Sequence, residues 1–247
     1  NNNGFAAGKD GQLLKTTDAG NNWIHIGSNC VIEFKDLYFV DANNGMALAG
    51  DGKFYSTSNG GADWNAISTL GHYNSMHMYD KTSATKLGFA AGDDGLFAIV
   101  MYQSSKGFRV FKQTMFASVT DDFSSVFGLN SSELFVGGNS GYLAKITKSG
   151  NDWALATIST SIATDIVKMY FNSNTLGACL ASDGDIYKLT YSGSWTSSNI
   201  STSLGVIKDF DYNSTDLVAI VAPAGATAIS YAKTSLTSLT ILTPISI

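Results

Sequence analysis

The stretch Thr16-Thr17-Asp18-Ala19-Gly20-Asn21-Asn22-Trp23 decides how this chain is read. It returns as Thr57-Ser58-Asn59-Gly60-Gly61-Ala62-Asp63-Trp64, and then in more worn forms. Both copies follow a run of small and apolar residues bounded by glycine and closed by Asp-Gly, Gly4 to Gly11 and Gly45 to Gly52. Thr16, Asp18, Gly20 and Trp23, with Thr57, Asn59, Gly61 and Trp64, are read as structural. The Asp carboxylate accepts hydrogen bonds from backbone N–H groups of its own turn, glycine takes positive φ, and the indole packs back under the loop.

Working outward, the glycine of each tight turn serves as a ruler: Gly11, Gly52, Gly95, Gly141, Gly184 and Gly225, at intervals of 41, 43, 46, 43 and 41 residues. So regular a period marks a repeat. The preceding residues are Asp10, Asp51, Asp94, Ser140, Asp183 and Ala224, and Asp-Gly between apolar runs predicts a type I′ hairpin with φ > 0 at both central positions. A short strand of small residues leads into each turn, a second strand leaves it, and a third starts at the Trp or its stand-in. An aromatic-rich fourth strand, such as Lys35 to Val40 or Ile166 to Phe171, lies ahead of the next unit. Four short strands per repeat of this length, with no convincing helix, predict an all-β fold, a β-propeller of about six four-stranded blades. The units run approximately 1–30, 31–70, 71–116, 117–160, 161–202 and 203–247 of a single domain.

The first unit lacks its innermost strand, since only ten residues precede Gly11. An open seam would expose sheet edges. Either the tail Thr243 to Ile247 supplies a stub of that strand or more chain lies beyond one end, which makes seven blades the alternative. The opening Asn1-Asn2-Asn3, without an initiating Met, points to a piece of a longer polypeptide or assembly.

Composition narrows the function classes. Net charge is −5 and charged residues are 14% of the chain, so no basic footprint for nucleic acid exists. No apolar run reaches the ~18 residues of a membrane helix. Cys30 and Cys179 stand in no metal or redox spacing and read as buried free thiols. His25, His72 and His77 form no ligand spacing, so neither a metal nor a cofactor is expected.

Thr16-x-Asp18-x-Gly20-x-x-Trp23 resembles the Asp-box, or bacterial neuraminidase repeat, of sialidases and sortilin-type receptors. With the Gly-Phe-Ala-Ala-Gly-Lys-Asp-Gly run before it, the first two units look most like propellers related to the photosystem II stability and assembly factor. The match is good over residues 4–67 and then fades: Asp18 becomes Asn59, then Ser105 within Gln103 to Val110, then Lys148 within Ile146 to Trp153. The resemblance implies a rigid binding module for a partner polypeptide, with Asp-boxes on the blade periphery. In that family an arginine-rich patch engages the partner, whereas here Arg109 is the only arginine. A sialidase grips its substrate carboxylate with three arginines, and lysine does not replace the bidentate guanidinium, so that activity is disfavoured.

Function is therefore sought at the axis. Sixteen residues ahead of the ruler glycines stand Asp36, Ser125, Lys168 and Asp209, with His77 near the corresponding place in unit three. These five are the candidate channel-mouth binding residues, and no residue is assigned a catalytic role. Polar residues at such positions also serve to satisfy backbone groups beside a wet channel. Asp121, Asp122 and Asp165 read as loop charges just ahead of their strands. The expected function is a non-enzymatic scaffold, exported or surface-associated, that binds a protein or carbohydrate. The alternative is a glycoside hydrolase using a carboxylate pair such as Asp36 and Asp209.

Overall fold

The structure is a computed structural model and describes residues 2–27, 29, 31–201, 206–212, 217–222, 230–234 and 245–246. Its internal contacts divide it into two units, Asn1–Phe123 and Ser124–Ile247.

The first unit begins with β1 (Gly4–Ala7), β2 (Leu13–Thr16) and β3 (Ile24–Ile26), which form a three-stranded sheet in chain order. Two four-stranded meanders follow. One is β4 (Phe34–Phe39), β5 (Gly45–Ala49), β6 (Phe54–Thr57) and β7 (Asn65–Ile67). The other is β8 (Tyr73–Asp80), β9 (Thr85–Gly92), β10 (Leu96–Gln103) and β11 (Gly107–Met115).

The second unit carries three more meanders. They are β12 (Phe123–Asn130), whose first residue closes the first unit, with β13 (Glu133–Gly138), β14 (Leu143–Ser149) and β15 (Asp152–Thr157); then β16 (Ile166–Ser173), β17 (Leu176–Ala181), β18 (Ile186–Tyr191) and β19 (Trp195–Asn199); and last β20 (Val206–Tyr212), β21 (Leu217–Ala222), β22 (Ser230–Thr234) and β23 (Ile245–Ser246). Every pairing described is antiparallel between strands consecutive in sequence, which is the blade plan of a β-propeller.

The small-residue strands hold the core. All of β5 is buried, as are β13 and β17 beyond their first residues. Glycine in these strands admits aromatic rings from the strand alongside. A Cβ on Gly45 would lie 2.6 Å from the Phe39 ring, and one on Gly177 2.5 Å from the Phe171 ring. The same aromatic assembly appears in each unit. Phe5 stacks on Phe39 at 3.5 Å with Trp64 edge-on to Phe39 at 6.0 Å. Phe135 stacks on Phe171 at 3.6 Å with Trp195 edge-on to Phe171 at 5.9 Å. Such pairs add to plain area burial.

The hairpin turns split into two kinds. Asp10-Gly11, Asp94-Gly95 and Ser140-Gly141 have φ > 0 at both central residues, as type I′ requires. In Asp51-Gly52 and Asp183-Gly184 the glycine alone is left-handed. There the inner bond runs from Gly52 N–H to Ala49 O and from Gly184 N–H to Ala181 O, one residue earlier than the Gln12 N–H to Lys9 O bond of the first kind, and the aspartate keeps an ordinary φ. The sixth ruler pair, Ala224-Gly225, lies outside the described residues, as does Cys30.

The lead-in to each later sheet grips the turn before it. Tyr73 N–H donates to Gly52 O at 2.9 Å and Ile207 N–H to Gly184 O at 3.0 Å. At two of the three type I′ turns a carboxylate does this work: Asp122 accepts from Asp94 N–H at 3.0 Å and Asp165 from Ser140 N–H at 2.9 Å. These two aspartates, read from sequence as loop charges, hold turn N–H groups 28 and 25 residues away.

The tail corrects one expectation. Ile245 and Ser246 pair with Tyr231 and Ser230, so they form the outer strand of the last sheet and are not a stub for the first. Cys179 is a buried free thiol whose pKa burial pushes up to about 12. It is protonated at neutral pH.

Candidate functional site

The repeated loops come first, because their chemistry is fully visible. Thr16 Oγ1 donates to Asp18 Oδ1 at 2.7 Å and accepts from Gly20 N–H at 2.9 Å, while Asp18 Oδ1 accepts from Asn22 N–H at 2.9 Å. The second copy repeats each bond: Thr57 Oγ1 to Asn59 Oδ1 at 3.0 Å, Gly61 N–H to Thr57 Oγ1 at 2.9 Å, Asp63 N–H to Asn59 Oδ1 at 3.0 Å. Only one side-chain oxygen is essential, and Asn supplies it as well as Asp. The Asn22 backbone and side-chain donors, with Thr16, hold the Asp18 carboxyl down at about 2.

In both loops the Thr hydroxyl and the Asp or Asn side chain are engaged within the loop itself, so they brace it. Thr57→Val, which keeps the shape of a side chain only 4% exposed, strips the acceptor from Gly61 and Asn59 N–H. It is expected to cost about 1–3 kcal/mol in urea unfolding. A change within a few tenths would show that water replaces the hydroxyl.

Farther along, the motif is not merely worn but replaced. Lys148 and Trp153 face each other across the β14–β15 ladder, and β10 turns into β11 within three residues, Ser104 to Lys106. Where Thr and Asp no longer take up the turn's N–H groups, the strands run on and pair them.

Trp64 is 5% exposed, packed on Phe34 at 5.0 Å and Phe39, whereas Trp23 is 44% exposed. The indole does not pack away in the first copy. Among the described residues, its sheet has no strand to supply the phenylalanines that β4 supplies to Trp64.

The candidate residues fall as follows. Asp36, Lys168 and Asp209 each stand just after a β-bulge, between Phe34 and Asp36, Ile166 and Lys168, and Ile207 and Asp209. In the third sheet that bulge lies between Tyr73 and Ser75, so Ser75 holds the equivalent place and His77 stands two residues on, opposite Phe89. The β8–β9 hairpin is four residues longer than its counterparts, which defeats a constant count back from the glycine. Its extra turn is tied down by Asp80, whose carboxyl the Ser83 and Thr82 donors hold at about 2.

Asp36 and His77 do line one shallow depression of about 110 Å³, together with Tyr38 and Lys81. In the second unit Lys168 Nζ meets Asp209 Oδ1 at 2.6 Å, half-exposed, and stands 6.0 Å over the Phe210 ring. Ser125 is 3% exposed within β12. Asp36 accepts from Leu37 N–H and Asp209 from Phe210 N–H, each at 2.8 Å. Both carboxylates therefore serve the backbone beside their bulge, and the depression holding Asp36 brings Tyr38, His77 and Lys81 to it as its other titratable groups.

A feature the sequence did not flag as a site is larger. A pocket of about 460 Å³ in the first unit is lined by Ile67, Ser68, Met101, Arg109, Val110 and Phe111. Register puts Arg109 on β11 opposite Met101 on β10. Its Nη2 donates to Gln103 Oε1 at 2.7 Å and approaches Met101 Sδ at 3.4 Å, which holds the guanidinium over an apolar wall. The fork has five donors, more than these contacts use. The clue in sequence was a lone arginine between Phe108 and Val110 on an alternating strand, but the wall comes from β7 and β10 and needs the register.

No protein-family profile matches the chain, and no curated protein matches it. Solved structures do. YCF48 from Cyanidioschyzon merolae is 16% identical with a TM-score of 0.65, over 90% of this chain and 77% of that one. YCF48 bound to D1 peptide is 15% identical with a TM-score of 0.61, over 93% and 73%. With the blade plan above, this likeness gives the fold as a β-propeller.

Proposed function

We propose that the chain is a non-enzymatic binding propeller, exported or surface-associated, that holds a polypeptide segment, with the Arg109 pocket as its reading contact. The observation that carries this is the pocket itself: apolar walls beside one oriented guanidinium suit an aliphatic or aromatic side chain next to a carboxylate. That one of the similar structures named above is YCF48 bound to D1 peptide supports a polypeptide as the class of partner. The loops Thr16–Trp23 and Thr57–Trp64 we read as Asp-boxes, and Asp36, Ser75 and His77 in the first unit, and separately Lys168 and Asp209 in the second, as secondary polar positions, with Ser125 buried. The extracytoplasmic location rests on composition alone, a surface rich in Ser, Thr and Asn with few charges.

The test is a titration of short synthetic peptides ending in an apolar residue with a free carboxylate, followed by anisotropy, beside a glycan array. Saturable binding that falls about tenfold or more in Arg109→Ala, and as far when the peptide is amidated, is expected, since one charge-assisted contact is worth that much. Peptide binding indifferent to both changes would remove the pocket from the function. Binding to glycans alone would replace the polypeptide with a carbohydrate.

A further inference from the structure

The Arg109 guanidinium is held by a run of contacts that ends on sulfur. Register sets Met101 opposite Arg109 on β11 and Leu87 on β9, and Gln103 opposite Gly107 and Thr85, so these residues share one face of the third sheet. Gln103 Nε2 donates to Thr85 Oγ1 at 3.4 Å, and its Oε1 accepts from Arg109 Nη2 at 2.7 Å. The amide is oriented from both sides, and it lays that same Nη2 at 3.4 Å from Met101 Sδ. A thioether is a weak acceptor, so the guanidinium gives up little when it turns from sulfur to a ligand.

Met101 is also one of the few methionines an oxidant can reach. Of the six in the chain, Met46, Met76, Met78 and Met169 are buried in the core. Met115 is exposed, and Met101 is half-buried with its side chain in the wall of the pocket. Arg109 is the chain's one arginine, so no second guanidinium can take its place there.

We propose that Met101 is a redox modification site that switches this pocket, an inference that rests on the pocket's reading as an anion contact. The oxidant is a peroxide. The Sδ lone pair takes one peroxide oxygen, an S–O bond forms as the O–O bond breaks, and the other oxygen leaves with both protons as water. The thioether loses two electrons and the peroxide gains them. The product is a sulfoxide, polar where the thioether was apolar, and its oxygen sits on the atom that already lies against Nη2. Arg109 then donates to that oxygen as well as to Gln103, in charge-assisted bonds, and fewer of its donors face the ligand. The same oxygen makes the wall polar where an apolar side chain would lie, and covering it costs affinity again. Methionine sulfoxide reductases, one for each sulfoxide epimer, restore the thioether, so the switch reverses.

Met115→Leu removes the other accessible thioether, and hydrogen peroxide is then applied to the 247-residue chain. Peptide mapping by mass spectrometry should place one oxygen atom on Met101 and none on the four buried methionines, which also shows that the fold is intact. Phenylglyoxal reads the guanidinium directly, because Arg109 is its only arginine target. Labelling should slow about tenfold after oxidation, the worth of one charge-assisted bond. Affinity for the carboxylate-ended peptides should fall about tenfold or more and return after treatment with the reductases. In Met101→Leu both readouts should be indifferent to peroxide, whatever affinity that variant starts from. A Met101 that resists oxidation, or a sulfoxide that leaves labelling or affinity unchanged, overturns the proposal. Failure of the untreated chain to bind any such peptide would instead remove the ligand reading, and the labelling rates would still decide whether the sulfoxide captures Arg109.

Discussion

Phe171→Ala is expected to lower stability by about 3–5 kcal/mol, the range for removing a fully enclosed phenylalanine. The ring is 2% exposed, lies flat on Phe135 and meets the edge of Trp195, and Gly177 has no side chain so that the ring fits. Its deletion leaves a hole walled by two other aromatic faces and a backbone. Rigid rings and strand backbone relax little into such a space, so the cavity adds to the lost transfer energy. Urea unfolding followed by circular dichroism measures the loss. A value below about 1 kcal/mol would mean that the neighbours close over the gap and that the stack is not a keystone.

Gly141→Ala is the second large effect, at roughly 3 kcal/mol, near the top of what single substitutions do. Two causes combine. Gly141 has φ +75°, where an L-residue is strained, and an added Cβ would sit 2.0 Å from the carbonyl oxygen of Ile162. That oxygen is backbone in the segment leading to β16, close to where Asp165 holds the Ser140 N–H. It has no rotamer by which to escape. Gly150→Ala is the matched control, with φ +63° and nothing within 4 Å of the new Cβ. It should cost about 1–2 kcal/mol, the left-handed strain alone. Equal losses for the two variants would show that the Ile162 contact contributes nothing.

Much of this fold could be read from the chain because its determinants are local. Thr16, Asp18 and Gly20 bond within four residues of one another, so the loop is written in one short stretch and its copy is recognised by eye. The type I′ turns at Asp10-Gly11 and Asp94-Gly95 are legible for the same reason. What escaped depends on register or on distance. The four residues inserted in the β8–β9 hairpin moved the bulge from the counted place to Ser75, and no period shows where an insertion lies. Asp51 precedes glycine as Asp10 does, and both loops close between residues four apart, Gly8 with Gln12 and Ala49 with Lys53, yet the inner bond differs: Gln12 N–H to Lys9 O in one, Gly52 N–H to Ala49 O in the other. Asp122 and Asp165 looked like surface charges since their partners are 28 and 25 residues away. The Arg109 pocket needed three strands to be placed before its walls existed. Trp23 was expected under its loop because the motif says so, but the motif supplies only half of the enclosure.

The strand order has a consequence for how the chain is made. Every sheet described is assembled from neighbours in sequence, and described turns are held by the residues that come next, as Tyr73 holds Gly52 and Ile207 holds Gly184. A meander can therefore complete itself as soon as it leaves the ribosome, and the following few residues lock it. With repeats of 41 to 46 residues, one sheet emerges over roughly 2–9 s at ordinary elongation speeds, far longer than a hairpin needs to form. Synthesis and folding thus proceed in step, one ratchet click per repeat.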